Sequence, residues 1–98
     1  MNIGKMMKDL QGMQAKMKEE IESIEVEGSS GGGAVEVRMN GQKQLVAIKL
    51  ATETVGDDVE LLQDLIVAAV NDATRKVDEQ VQSVTQGLAG GLNIPGLG

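Results

Sequence analysis

Several residue types are missing from this chain, and each absence removes a class of chemistry. The 98 residues contain no Cys, His, Phe, Trp or Tyr. Without Cys and His there is no disulfide scaffold, no thiol chemistry and no zinc site of the usual nitrogen and sulfur type. No His is available to activate a serine nucleophile. Without aromatic rings the chain has no platform on which the bases of a single strand could stack.

The hydrophobic core must therefore be built from aliphatic side chains and methionine, and it is small. A chain of this length buries only roughly 60–65% of its unfolded surface. We predict one domain, residues 1–98, that gains further burial by associating with a second copy. No basic-then-apolar signal segment occurs, and the longest apolar run, residues 65–70, is far shorter than the ~20 residues of a membrane span. We expect a cytoplasmic protein with no membrane partner.

The charge is negative overall but unevenly distributed along the chain. The net charge is −6, which taken alone argues against nucleic-acid binding. Residues 1–18 nevertheless hold four lysines and one aspartate, a net charge of +3, whereas the remaining 80 residues carry −9. The amino-terminal segment is thus the part of the chain best suited to binding an anion.

Two long helices with apolar stripes are predicted. Over residues 3–24, Ile, Leu and Met recur at three- and four-residue steps within an arc of ~120°. Asp57 followed by Glu60 resembles a capping box that opens a second helix of roughly 30 residues. The residues of its core-facing stripe are Leu62, Leu65, Ile66, Ala69, Ala73, Val77, Val81 and Val84. Residues 88–98, rich in Gly with one Pro, are predicted to form a flexible tail.

Between these helices the apolar period changes to two, which is typical of strands. Val35, Val37 and Met39 alternate with polar residues, as in a half-buried strand. The Gly-rich segment 28–33 is predicted as a turn, and Asn40-Gly41 as a hairpin turn because both residues tolerate positive φ. The pattern predicts an α+β fold in which a β-meander lies between two long helices.

Two segments carry more apolar surface than one chain can cover. The strand at residues 44–50 is apolar on both faces, which predicts cover on both sides. Residues 61–70 of the second helix are apolar almost all round, as in an enclosed helix. We predict that a second copy pairs here. The candidate interface residues are Leu45, Ala47, Leu61, Leu65, Val67 and Ala68.

Lysines on the first helix are the main functional candidates. Lys5, Lys8 and Lys16 share the arc opposite the apolar stripe, and Lys18 lies at its flank. Exposed lysines along a protruding helix are what binding to a phosphate backbone requires. Three of the four have an acid four residues later, but such pairs are worth only ~0.2–0.5 kcal/mol and would not hold the lysines away from a polyanion.

The second helix carries a smaller cationic group. Arg75 and Lys76 lie within pairing reach of Glu79 and Asp72 respectively. The candidate nucleic-acid contacts are therefore Lys5, Lys8, Lys16, Lys18, Arg75 and Lys76. Since base stacking is excluded, we expect contacts to the nucleic-acid backbone or shape with little reading of base sequence.

Other functional patterns are weak. The glycines of residues 28–33 lack the Lys-Ser/Thr of a phosphate-binding loop, and the acids at residues 57–60 are explained by helix capping and the helix dipole. We expect no enzymatic activity, no metal, no cofactor and no small-molecule substrate. The methionine stripe is also suited to varied protein partners. The alternative is therefore a protein–protein interaction module that uses the Met-rich helix and acidic surface, with weak or indirect DNA association.

Three segments carry a family resemblance. They are SGGGAVEVRMNG at residues 30–41, LLQDLIVAAVNDA at residues 61–73 and GLNIPG at residues 91–96. Together with the opening helix rich in Met, Gln and Lys, they resemble the YbaB/EbfC family of bacterial nucleoid-associated proteins. The resemblance covers the whole chain in order.

The resemblance implies a cytoplasmic, nucleoid-associated homodimer of order α-β-β-β-α whose long helices project as tweezer-like arms that hold double-stranded DNA. It also implies a role in nucleoid organisation and gene regulation, and it brings no catalytic motif. The lysines of the first helix, together with Arg75 and Lys76, match the family's charged helices in place and chemistry. The chain departs from the family pattern in its acidity.

Overall fold

A computed structural model describes residues 2–91 and confirms the predicted element order. Helix α1 (Ile3–Glu22) is followed by strands β1 (Glu25–Ser30), β2 (Val35–Asn40) and β3 (Leu45–Leu50). A single helical turn, α2 (Thr52–Val55), leads into the long helix α3 (Val59–Gly91). The strands form one antiparallel sheet in the order β1-β2-β3. No helix in residues 2–91 is long and apolar enough to cross a membrane.

Helix α1 begins and ends with side-chain caps. The Asn2 carboxamide oxygen accepts the N–H of Lys5 at 3.1 Å, which satisfies one of the free amides of the first turn. At the other end the Ser23 hydroxyl donates to the Glu20 carbonyl at 2.7 Å. The helix stops at Glu22, two residues earlier than predicted, because Ile24 is already buried in the core beneath the sheet.

The glycine-rich segment is only partly a turn. Strand β1 extends through Gly28 to Ser30, and the turn occupies residues 31–34, where three glycines have φ between 61° and 98°. The prediction of a turn from residue 28 was therefore wrong. A Cβ on Gly28 would lie 2.3 Å from the Ala69 carbonyl oxygen of α3, so this glycine allows the helix to approach the strand.

The second hairpin lies where it was predicted but is built differently. Positive φ occurs at Lys43 (63°) rather than at Asn40 or Gly41. The Asn40 side-chain oxygen accepts the N–H groups of Gln42 and Gln44, each at 3.0 Å, and so fixes the loop. A Cβ on Gly41 would lie 2.0 Å from the Ile21 carbonyl oxygen, so this glycine is required by contact with α1.

Helix α3 packs across β1 and β2 and closes the core. The buried residues are Ile24, Val26, Ala34, Val35, Val37, Met39, Ala69, Ala73 and Val77. The predicted stripe is confirmed, with its remaining members half-buried around this cluster. The helix is capped by Asp58, whose carboxylate accepts the N–H of Leu61 at 3.0 Å, and not by Asp57 as predicted. It continues to Gly91, and the rest of the expected tail, residues 92–98, lies outside the described residues.

Candidate nucleic-acid interface

Helix α1 projects from the rest of the molecule. None of its 20 residues is buried, and the apolar side chains of its first two turns are 53–68% exposed. The same stripe becomes half-buried only towards the carboxyl end, at Met13, Met17 and Ile21, where Ile21 packs against the core. The Cα atoms span 67 Å along the longest axis against 24 and 15 Å along the others. Because only its carboxyl-terminal half is packed against the rest of the chain, α1 forms an arm.

The arm presents three lysines without a counter-charge. Lys5, Lys8 and Lys16 are exposed and form no ion pair within the described residues, although Asp9 and Glu20 stand four residues after two of them. Lys18 is the exception, at 3.9 Å from Glu22 with both side chains largely in solvent. A surface pair of this kind contributes about 0–1 kcal/mol. All four ammonium groups are thus accessible to an anion.

The cations of α3 are arranged differently, because Asp72 binds both of them. The Asp72 carboxylate lies 2.9 Å from Arg75 Nη2 and 3.2 Å from Lys76 Nζ. The Lys76 ammonium also donates to the carbonyl of Glu27 in β1 at 2.8 Å. Arg75 pairs with Asp72 rather than with Glu79, the acid that its position favoured. Arg75 and Lys76 therefore share one carboxylate, which reduces the charge of this sequence-predicted group from +2 to a local net +1.

Asp72 is held in its charged form by this arrangement. The N–H of Ser29 donates to its carboxylate at 3.0 Å. That backbone hydrogen bond, followed by those from Lys76 and Arg75, lowers the pKa of Asp72 below its ordinary value of 3.8. The cluster joins the middle of α3 to strand β1.

The remaining cations lie away from the arm, and sequence reasoning did not consider them. Arg38 pairs with Glu25 across the sheet at 3.2 Å, and Lys43 pairs with Asp78 of α3 at 2.6 Å. Lys49 on β3 is exposed and forms no ion pair within residues 2–91. Alternation along the strands places Arg38 and Lys49 at sheet positions, and Lys43 lies in the hairpin loop, but the ion pairs between elements depend on tertiary contacts.

The predicted interface residues are largely uncovered in the single chain. Leu45 of β3 is 46% exposed, and Leu61 and Val67 of α3 are 42% and 59% exposed. Ala68 is also exposed, whereas Ala47 and Leu65 are half-buried, the latter against the turn at Gly31. Helix α3 lies over β1 and β2, and β3 is left largely uncovered, with only Ala47 half-buried among its six residues.

Comparison with known proteins places this architecture in a family. Residues 1–92 match the model of the YbaB/EbfC DNA-binding family. A nucleoid-associated protein of Caldanaerobacter subterraneus is 49% identical over 98% of this chain and 90% of its own. Another, from Alkaliphilus metalliredigens, is 46% identical over 98% of this chain and 88% of its own.

A solved structure has the same fold. The crystal structure of an uncharacterized protein from Helicobacter pylori superposes with a TM-score of 0.76 at 25% identity, covering 91% of this chain and 98% of that one. The sequence relatives match nearly the full length of this chain. This chain belongs to the YbaB/EbfC DNA-binding family.

Proposed function

We propose that this protein binds duplex DNA as a homodimer, without catalysis, by placing the lysines of α1 against the phosphate backbone. The observation that carries the proposal is the arm itself: Lys5, Lys8 and Lys16 are unpaired within the described residues and lie on a helix that buries none of its side chains. Membership of a DNA-binding family and relatives named nucleoid-associated proteins support it.

The charge distribution supports α1 rather than α3 as the main contact. A phosphate that approaches Arg75 or Lys76 must compete with the Asp72 carboxylate at 2.9 and 3.2 Å. A phosphate that approaches Lys8 meets a free ammonium group, with Gly12 rather than an acid one turn later. We rank Lys5, Lys8 and Lys16 as primary contacts, Lys18 next, and Arg75 with Lys76 last.

A second copy is proposed as the partner that covers the exposed apolar surface. Three large side chains of β3, Val46, Ile48 and Leu50, are 38–52% exposed in addition to Leu45. Exposed strands of this kind are association sites. Two copies joined through β3 and the beginning of α3 would carry two lysine arms, which doubles the number of phosphates within reach. Roles in nucleoid organisation and gene regulation would follow from such bivalent binding.

Fluorescence anisotropy with duplex DNA at several salt concentrations tests the DNA contact. Four to eight phosphate contacts per dimer predict a slope of log affinity against log salt of about −4 to −7. Lys8→Glu should weaken binding to unrelated duplexes to a similar extent. Lys49→Glu makes the same charge change at a residue that is equally unpaired among the described residues but lies on β3. It is the matched control provided that light scattering shows the parent mass, because β3 belongs to the proposed dimer interface. Absence of binding at about 50 mM salt, or a slope near zero, would refute the proposal.

Light scattering coupled to gel filtration tests the dimer. The expected mass is twice the 10.3 kDa of one chain. Val67→Glu should shift the protein towards monomer without unfolding it, because Val67 is 59% exposed in the single chain. Ile3→Glu, an equivalent change at a residue 68% exposed on the arm, should leave the mass unchanged. A monomeric parent protein at micromolar concentration would contradict the proposal.

The exposed methionines favour one alternative, a protein-interaction module. Met6 and Met7 are 53% and 56% exposed on the side of α1 opposite the lysines. Pull-down from nuclease-treated lysate separates the two functions. Protein partners that persist after nuclease treatment, and that are lost with Met6→Ser/Met7→Ser but retained with Lys8→Glu, would favour this alternative. Capture that disappears with nuclease would favour DNA.

A further inference from the structure

Side chains of α3 make hydrogen bonds to the backbone of β1, at one edge of the sheet, and none to β3, at the other, among the described residues. In an antiparallel sheet, alternate residues of an edge strand direct both N–H and carbonyl groups away from the neighbouring strand. On β1 the Glu27 carbonyl and the Ser29 N–H are two such groups, and each has a side-chain partner. The Lys76 ammonium donates to the Glu27 carbonyl at 2.8 Å, and the Asp72 carboxylate accepts the Ser29 N–H at 3.0 Å.

These two side chains act as a unit. Asp72 and Lys76 are one helical turn apart, and their charged groups lie 3.2 Å from each other. The pair therefore offers one acceptor and one donor to the strand edge, with complementary charge. An adjacent antiparallel strand would offer the same two functions to the same two backbone groups. The ion pair thus occupies the hydrogen-bonding positions that a further strand would need.

The β3 edge has no corresponding protection. Among the described residues, no side chain makes a hydrogen bond to the backbone of β3 between Leu45 and Leu50. The strand is also uncovered by α3, and its apolar side chains are exposed. An unprotected edge of this kind is a template for strand addition, whereas charged side chains at an edge discourage it.

We infer that Asp72 and Lys76 close the β1 edge, so that a second copy of this chain can associate only on the β3 side and assembly stops at a closed dimer. This role rests on the proposed association through β3. Lys76 would then limit the size of the assembly instead of contacting a DNA phosphate. Without the closure, one protomer would have two usable edges, and edge-to-edge addition would produce open-ended oligomers.

Substitution of the two closing residues tests this role. Asp72→Ala removes the acceptor for the Ser29 N–H, and Lys76→Met removes the donor to the Glu27 carbonyl. Arg75→Met is the matched control. Like Lys76→Met, it removes one positive charge and one ion pair with Asp72, but the Arg75 side chain donates no hydrogen bond to β1 within the described residues. Light scattering and native mass spectrometry across a concentration series report the mass of each variant.

Asp72→Ala and Lys76→Met should form species larger than the parent assembly as concentration rises, while Arg75→Met should keep the parent mass. In Asp72→Ala, hydrogen exchange at the Ser29 amide should be about tenfold faster at low concentration, where no added strand protects it. If circular dichroism shows that Asp72→Ala is unfolded, Lys76→Met decides, because it leaves the Asp72 carboxylate bound to the Ser29 N–H and to Arg75.

Equal masses for all variants would overturn the inference, as would enlargement of Arg75→Met, which would indicate a general charge effect. The outcome is separable from that of the proposed function. Failure of the parent protein to dimerise or to bind DNA refutes the proposed function, whereas the edge inference is judged from the mass of each variant relative to the parent.

Discussion

Helices α1 and α3 have the same amphipathic pattern, but only the apolar face of α3 is buried. In α3 the stripe crosses the sheet, and Ala69, Ala73 and Val77 are completely buried. In α1 the stripe has equally apolar residues at the same spacing, yet no residue is buried. The difference arises from where each helix runs. Gly28 lets α3 contact β1, while α1 leaves the end of the sheet and contacts the rest of the chain, including α3, only through its carboxyl-terminal half.

The comparison shows that periodicity predicts which face of a helix is apolar but not what covers it. A covered face contributes to the stability of the single chain, because burial removes apolar area from water. An uncovered face contributes little until a partner arrives. Substitutions in the two helices should therefore separate stability from binding.

The largest contrast is expected between two glycine-to-alanine changes. Gly28→Ala should destabilise the protein by about 3 kcal/mol or more, because its Cβ would lie 2.6 Å or less from backbone atoms of Ala69 and Ala73. Gly12→Ala, where no atom lies within 4 Å, should stabilise by about 1 kcal/mol through helix propensity. Urea denaturation measures both. A neutral or stabilising Gly28→Ala would show that α3 does not contact β1 as described.

Truncation of apolar side chains should give the next largest effect. Val77→Ala leaves a cavity in a site that is completely buried and should cost about 2 kcal/mol. Met6→Ala, at a residue 53% exposed, should change stability by less than about 0.5 kcal/mol. Thermal or urea denaturation distinguishes them. An equal loss for Met6→Ala would indicate that the arm is covered in solution.

Removing positive charges from α1 should weaken DNA binding more than removing one from α3. Lys5→Gln/Lys8→Gln removes four lysines from each dimer, so it should lower affinity at least about tenfold and reduce the salt slope by about 4, because each lysine releases about one counterion. Arg75→Gln should change affinity by about twofold or less, since Arg75 is paired with Asp72 at 2.9 Å. Anisotropy titrations report both quantities. A larger effect for Arg75→Gln would reverse the proposed ranking of the sites.

The smallest effect is expected from the titration of Asp72. Its folded pKa is lowered, so its contribution to stability is fully present above 3.8 and is lost as the pH falls through the folded value. Urea denaturation between about pH 5 and pH 2 should show a steeper loss for the parent protein than for Asp72→Asn. Parallel profiles for the two proteins would contradict the assigned hydrogen bonds.

The architecture was predictable because each element is encoded locally. The change of period from α1 to the strands, and back again in α3, defines the order of the elements without knowledge of their packing. The stripe of α3 was predicted for the same reason. The bounds of β1 were missed because a glycine within a strand has the same local preference as a glycine in a turn. Its role depends on α3, more than 40 residues away.

The candidate site was less accessible to sequence reasoning. The exposure of the α1 lysines followed from the helical arc, but whether they are paired depends on side-chain placement. The sequence placed Lys76 within pairing reach of Asp72, and that pair is present. The contact of Lys76 with the Glu27 carbonyl joins residues 49 positions apart, and no local pattern encodes such a distance. Tertiary contacts thus decide which cations remain available.

The joint between α1 and the sheet has a mechanical consequence. Gly41 lies against the Ile21 carbonyl, and its N–H donates to the Ile24 carbonyl at 3.1 Å. The hairpin loop is therefore the point about which α1 would pivot. A helix of 20 residues is about 30 Å long. A rotation of α1 by about 10° about this point would move its amino-terminal end by about 5 Å, close to the pitch of one helical turn. The orientation of α1 relative to the sheet therefore depends on Gly41, where a side chain would collide with the Ile21 carbonyl.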